Sequence, residues 1–258
     1  MPELSVIIPS HNDIYLHKTI ASLLDNSELD IEIIVVLDGY IPATPITGDP
    51  RVLSIYYEDN RGMREAINMG VSYARGKYIM RVDEHCMFGP GYDRILLADI
   101  EDNWIVTPRR YKLDPVKWEV MDLPPIDYEK LVIKADPHKF SGVQWKSREI
   151  ERKDIMVDET MSMQGSCWVM NRSWWDKVIV RLDSEGYGTL YQDSTEMLFK
   201  TWKAGGKLMV NKNTWFAHKH RNFNRTHNYP GEKAKESFSY ALNLWMQDYL
   251  EVQRKWMV

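Results

Sequence analysis

A chain of 258 residues, 44% hydrophobic and 27% charged, is long enough to bury a sizeable core as one large domain, or one domain with an appendage. A formal net charge of -4 excludes a surface built throughout to neutralise phosphates and leaves room for a local basic patch. Cys86 and Cys167 stand in unrelated contexts, which excludes a disulfide framework and a cysteine zinc site.

With no leader-like N-terminus and no apolar run of about 18 residues, the expectation is a soluble, cytoplasmic protein. Ten tryptophans are many for this length; most such rings belong to a core, and a surplus suits stacking on sugars or bases.

In chain order, residues 4–9 form a first β-branched strand. A helix over 13–25 follows, with Leu16, Ile20, Leu23 and Leu24 on one face and Asn12 as its N-cap. Residues 31–37 are a second strand ending at Asp38-Gly39, and 52–57 a third that runs into the turn signal Asn60-Arg61-Gly62. The next helix carries Met63, Ile67, Val71 and Ala74, and a fourth strand over 77–82 ends in Asp83-Glu84-His85. This alternation predicts an α/β sheet with crossover helices, whose ligands bind at the carboxyl ends of the strands.

The pattern dissolves over 114–158, where Pro115, Pro124, Pro125 and Pro137 suggest a long irregular excursion. Such a region is either a lid or acceptor-binding segment, or a plain surface insertion. Regular structure returns over 162–170, followed by a helix capped by Asn171 and another over 194–204 closed by Gly205-Gly206. A strand over 207–210 then leads to Trp215-Phe216-Ala217-His218. Ala234, Phe238, Ala241, Leu242, Trp245, Tyr249 and Leu250 mark one amphipathic helix, docked or dimerising. The expected division is a main domain over 1–228, with a variable acceptor or lid region at 113–160, and the C-terminal helix over 229–258.

Four pieces occur in order at strand-to-loop junctions. They are Val6-Ile7-Ile8-Pro9-Ser10-His11-Asn12, Val35-Val36-Leu37-Asp38-Gly39, Asn60-x-Gly62-x-x-x-Ala66-x-Asn68-x-Gly70, and the Asp83-Glu84-His85 cluster. Together they resemble the nucleotide-binding half of a GT-A glycosyltransferase of the family 2 type, over roughly residues 4–221. The resemblance implies a GT-A, Rossmann-like fold with a mixed, mostly parallel sheet flanked by helices, and an enzyme using a nucleotide-sugar donor, UDP-linked. A nucleoside diphosphate needs backbone approach at glycines, acceptors for its base and a divalent cation. Pro9, His11 and Asn12 then fall where a base stacks, Asp38 where base or ribose is bound, and Asn60, Gly62 and Arg64 beside the diphosphate. The plainer alternatives are a helix-capping Asn12, a turn-forming Asp38, and Arg61 and Arg64 as exposed helix arginines.

Arg81-Val82-Asp83-Glu84-His85-Cys86 is similar to the Asp-x-His-Cys metal motif of polypeptide N-acetylgalactosaminyltransferases, where a later histidine completes the site. The resemblance makes Asp83, His85 and His218 the metal ligands, with His220 and His227 as competitors for the third place. Two imidazoles and a carboxylate suit Mn2+ better than Mg2+, which remains open. Glu84, between the two ligands on an alternating strand end, is expected to point away. Tyr191-Gln192-Asp193-Ser194 resembles the Glu-Asp motif whose Asp is the general base of inverting members, with Gln192 in place of Glu. The same segment resembles the Glu-Asn-x-Glu helix of retaining relatives, and Asp193 also suits a helix N-terminus. The reading adopted is inversion with Asp193 as base.

Gln164-Gly165-Ser166-Cys167-Trp168 falls where such enzymes place a small-residue segment beneath the donor sugar, though its glycine also suits packing alone. The hydroxyl acceptor is a saccharide or, because the run from His218 to His227 interleaves basic and aromatic residues, a hydroxymethylated pyrimidine in DNA. That run also suits a basic loop closing over the pyrophosphate. Two further readings are a non-catalytic sugar-nucleotide-binding module and a nucleotidyltransferase, for which the Gly-rich start after the first strand is missing.

Overall fold

The computed structural model describes residues 1–220 and 231–257. β1 (Leu4–Ser10), α1 (Leu16–Asn26), β2 (Ile31–Asp38), β3 (Val52–Tyr57), α2 (Met63–Tyr73) and β4 (Tyr78–Val82) alternate as the β-branched runs predict. β5 (Cys86–Phe88), α3 (Tyr92–Leu97), β6 (Trp104–Asp114), β7 (Glu119–Val120), β8 (Glu129–Ala135), β9 (His138–Gln144), α4 (Lys146–Glu151) and β10 (Val157–Glu159) follow. Then come β11 (Cys167–Asn171), α5 (Arg172–Trp174) continued by a π-helical turn Trp175–Ile179, α6 (Asp193–Lys203), β12 (Lys207–His218) and α7 (Gly231–Trp256). Among the described residues no helix is long and apolar enough to cross a membrane.

The main sheet runs β10-β12-β6-β11-β4-β1-β2-β3, with β5 paired to β12 and β7 to β6. β3, β2, β1 and β4 are mutually parallel, β11 is antiparallel to both β4 and β6, and β12 is parallel to β6. β1 and β2 are buried at every position, which explains why Val6–Ile8 and Ile33–Leu37 are continuous apolar runs instead of alternating ones. Alternate side chains serve opposite faces. Val6, Ile8, Ile33 and Val35 meet Leu16, Ile20 and Leu23 of α1 and Leu96 of α3. Ile7, Ile34 and Val36 belong to the core that Ile67, Val71, Trp168, Phe199 and Trp245 fill on the other face.

The segment 114–158 is far more regular than its prolines suggest. β8 and β9 form an antiparallel hairpin paired from Glu129↔Gln144 to Ala135↔His138. The hairpin is stable because Leu131 and Phe140 are buried, the Phe140 ring lying 5.3 Å from that of Tyr249 on α7. A lone hairpin would be marginal in water; a helix packed on it removes that problem. α7 is docked within its own chain by Phe238, Ala241, Leu242, Trp245, Tyr249 and Val252, while Leu250 is 43% exposed. The first helix begins later than expected, and Asn12 does not cap it: Asn12 sits at φ 54, and Asp13 Oδ1 accepts the Tyr15 N–H instead. Asn171 does cap α5, accepting the Ser173 N–H at 2.9 Å.

Asp158 on β10 ties this region together. It accepts from Tyr128 Oη at 2.9 Å, Arg148 Nη2 at 3.1 Å and Arg152 Nε at 2.9 Å, with 8% of its side chain exposed. Burial opposes its charge, but the Arg152 and Tyr128 hydrogen bonds and the Arg148 charge outweigh that and hold its pKa below the usual value. A depressed carboxylate contributes stability above its unfolded pKa of about 3.9 and loses it as pH falls through the folded value. Asp158→Asn is therefore expected to lower the unfolding free energy by about 2 kcal/mol at pH 7, since it removes the charge that faces the largely buried Arg148 and the half-exposed Arg152. Urea denaturation at pH 7 and pH 3 checks this: the gap between variant and wild type narrows at the lower pH.

Candidate active site

Three loops meet at the carboxyl ends of β1, β2 and β4 and enclose a cleft of about 580 Å³. Pro9 and His11 come from the first, Asp38 from the second, and Arg81, Asp83, Glu84 and His85 from the fourth strand's end; Asn60, Gly62 and Met63 close one side and Thr189 and Leu190 another. Asp38 locks two of these loops together. Its Oδ1 accepts the Arg61 N–H at 2.6 Å and its Oδ2 the Gly62 N–H at 2.8 Å. His11 Nδ1 lies 2.6 Å from the Asp38 carbonyl, which it reaches as a donor, and the His11 N–H donates to Glu84 Oε2 at 2.9 Å. Gly62 lines the cleft at φ +88, and a Cβ there would meet Thr189 Cβ at 2.3 Å, so its missing side chain admits Thr189.

At the floor of this region three donors face one another. His218 Nε2 lies 3.0 Å from Asp83 Oδ2 and 3.1 Å from His85 Nε2, and His85 Nε2 is 3.8 Å from Asp83 Oδ2. Strand pairing sets this up: β12 runs antiparallel to β5 with His218 opposite Cys86, next to His85. Ligands about 2.1 Å from one ion and at right angles to each other sit roughly 3 Å apart, so the spacing fits a cation.

The protonation states fit as well. Burial lowers the His218 pKa to about 4, against the pull of Asp83, so its imidazole is neutral at pH 7. His85 Nδ1 faces Asp13 Oδ2 at 3.1 Å, and donating there leaves Nε2 as the lone-pair nitrogen. Burial opposes ionisation of Asp83, yet the Arg81 guanidinium, with His218 and His85, holds its carboxyl well below the usual range. Neutral His218, the Nε2 of His85 and the ionised Asp83 form a donor set for Mn2+ or a similar borderline metal in preference to Mg2+.

The sequence pattern described as Glycosyl transferase family 2 matches residues 5–179. The chain belongs to that family. Polypeptide N-acetylgalactosaminyltransferase 12 of Mus musculus is 23% identical over 276 residues, covering 98% of this chain and 45% of its own length. Polypeptide N-acetylgalactosaminyltransferase 4 of the same species is 26% identical over 269 residues, covering 97% and 45%. The chain thus spans less than half the length of these two relatives. An uncharacterized glycosyltransferase of Haemophilus influenzae is 36% identical over 90 residues, 32% of this chain and 36% of its own. The crystal structure of GalNAc-T7 with UDP, GalNAc and Mn2+ matches at TM-score 0.77 and 18% identity, over 96% of this chain and 50% of that one, so the two share the GT-A fold.

Within this family 2 fold, Pro9, His11, Asp38, Asn60, Gly62, Asp83 and His85 lie on one cleft wall. Asn12 is exposed on the turn after β1 and is not part of that wall. Arg64 also departs from expectation. Its guanidinium is 0% exposed and donates to Glu196, to the Asp183 carbonyl at 2.9 Å and to the Tyr191 carbonyl at 3.0 Å, and it does not line the cleft. Glu84 does not point away: it is buried, lines the cleft and accepts from His11. Of the competing histidines, His220 stands a ring beyond His218, with centroids 5.1 Å apart, and is outside the ligating group; His227, Arg221, Arg225 and the rest of the basic run lie outside the described residues.

Asp193 opens α6 as its first residue, after a left-handed Gln192 with φ 61. Its Oδ2 is buried without a hydrogen-bond partner, against Gly165, where a Cβ would come within 2.7 Å of it. A side chain at Gly165 would have to displace that carboxylate. The Gly165 carbonyl in turn accepts from Arg81, which donates to Asp83 Oδ1 at 2.6 Å.

Sequence reasoning missed Asp13, which it assigned to a helix start. Its carboxylate fixes the His85 ring, and removing such a partner typically weakens metal binding by about 10- to 100-fold. Asp13→Asn is expected to show that loss for Mn2+ by titration calorimetry, with an unchanged thermal unfolding midpoint in metal-free buffer.

Proposed function

We propose that the chain is a Mn2+-dependent glycosyltransferase that moves a sugar from a UDP-linked donor to a hydroxyl acceptor. The observation that carries this reading is the convergence of Asp83, His85 and His218 on one point beside the cleft built by the first, second and fourth strand ends. The UDP, GalNAc and Mn2+ held by the matched GalNAc-T7 structure support the donor class and the metal. A cation on these three ligands supplies charge screening for the diphosphate and for the departing nucleotide. Pro9, His11, Asp38 and Asn60 bind the nucleoside end, with the Asp38 carboxylate holding the loop rigid in advance of binding.

Arg81 keeps Asp83 ionised and, through Gly165, spans the distance to Asp193. Asp193 is the residue that takes the acceptor's proton, because its unpartnered carboxylate oxygen lies against the segment next to the metal ligands. Transfer is then direct and inverts the anomeric centre. Asp193→Asn is expected to reduce transfer by about 10²- to 10⁴-fold while UDP and Mn2+ still bind by calorimetry. Proton NMR of the product's anomeric signal decides the stereochemistry, and a retained configuration contradicts Asp193 as base. A thermal-shift panel of nucleotide sugars with and without Mn2+ tests the wider reading: one UDP-sugar stabilises the protein only when Mn2+ is present.

A further inference from the structure

The two ends of the main sheet are finished differently. β10 closes one end with three residues, two of them the acidic Asp158 and Glu159, and short charged strands of this kind resist pairing with another chain. β3 closes the other end with six residues, Val52-Leu53-Ser54-Ile55-Tyr56-Tyr57, which carry no charge and no proline. Leu53 is 44% and Tyr56 49% exposed, and Ser54 is exposed as well. Among the described residues β2 is the strand that pairs with β3, and the far side of β3 has none.

Pairing with β2 decides which backbone groups face that open side. Ile33 N–H donates to the Arg51 carbonyl and Gly39 N–H to the Tyr57 carbonyl, so the odd-numbered residues turn their backbone groups towards β2. Ser54 and Tyr56 therefore turn theirs outward, whereas the Val52 N–H is taken by the Asp49 carbonyl at 3.0 Å.

A two-fold axis normal to the sheet keeps every residue on its own face, so residues of like parity meet across the edge. With Ile55 on the axis, Ser54 of each copy stands opposite Tyr56 of the other, and each such pair exchanges both N–H to carbonyl bonds. This register asks nothing of the occupied Val52 N–H. It also brings Arg51 of each copy to Glu58 and Asp59 of the other. Arg51 rests on Asp49 at 2.8 Å with 44% of its side chain exposed, and Glu58 and Asp59 are exposed. The edge thus has a cationic start, an uncharged middle and an acidic finish, which complements itself when antiparallel and sets like charges together when parallel.

We propose that β3 is a dimerisation edge, joining two copies of this chain across a two-fold axis at Ile55 into one continuous sheet. The surface is independent of the sugar-transfer reading, because residues 51–59 do not line the cleft.

Sedimentation velocity of the full chain over a micromolar dilution series, without donor or metal, tests this. Wild type is expected at twice the chain mass at the upper end of the series. Ser54→Pro removes an outward N–H and leaves the bonds to β2, and is expected to stay monomeric throughout. Arg51→Asp and Asp59→Arg each set like charges against one another at both ends of the pairing, and each is expected to weaken dimerisation about tenfold or more. Mixing these two variants matches the charges again and is expected to restore a dimer with one copy of each, a result that does not depend on Ser54→Pro folding. Wild type that stays monomeric overturns the inference. So do variants, folded by circular dichroism, that dimerise as tightly as wild type, or a mixture that associates no more tightly than its two components.

Discussion

Asp83→Asn is expected to lower Mn2+-dependent transfer by at least about 10³-fold, roughly 4 kcal/mol of transition-state stabilisation. The substitution removes the anionic ligand of the Asp83, His85 and His218 group while preserving its shape. The fold survives because Arg81 keeps its bond to the Gly165 carbonyl, and because β4 is held on both sides by β1 and β11. Asn is the informative replacement. Asp83→Ala would leave the Arg81 guanidinium, 2% exposed, with less to pair with, and would mix a stability loss into the activity loss. Steady-state kinetics across a Mn2+ titration checks the prediction, with circular dichroism as the control; turnover within tenfold of wild type would contradict it.

Arg64→Ala is expected to cost about 3–5 kcal/mol of folding free energy, the cost of breaking a buried ion pair. Arg64 and Glu196 are both 0% exposed, and the guanidinium also ties down the Asp183 and Tyr191 carbonyls while lying 4.2 Å over the Tyr187 ring. Among the described residues Glu196 would keep Lys200, at 2.6 Å, as its charged partner. The loop before α6 carries Thr189 and Leu190 of the cleft wall, so nucleotide binding should weaken along with stability. Arg64→Lys retains the charge but not the three-way fork, and should fall between the two. Guanidinium denaturation measures the loss, and hydrogen exchange over 183–191 locates it; exchange there as slow as in wild type would show that Arg64 does not hold the loop.

The cleft was legible because its residues follow strands that betray themselves locally. Pro9, His11, Asp38 and Asp83 each stand at or just past the end of a mostly apolar strand, and ligands bind at such ends in open α/β sheets. Arg64 was misread for the opposite reason. A charged residue at a helix start looks solvent-facing in sequence, and its partner Glu196 is 132 positions away.

The β8–β9 hairpin was missed because Lys130, Lys134 and Lys139 interrupt it and Pro137 stands in its turn; its apolar side becomes meaningful only once α7 packs on Leu131 and Phe140. The choice of His218 over His220 likewise depends on register, since β12 puts His218 opposite Cys86. Asp13 carried no signal of its own: a carboxylate near a helix start reads as a helix-end charge until His85 is folded against it.

On the proposed function, one carboxylate and two imidazoles of this chain hold the metal beside the nucleotide. Pulsed electron paramagnetic resonance of the protein with Mn2+ and UDP tests it most directly, through nitrogen couplings to the bound ion. Couplings from two imidazoles are expected in wild type, from one in His85→Ala and from one in His218→Ala. A bound Mn2+ without nitrogen coupling, or with couplings that neither variant alters, would contradict it.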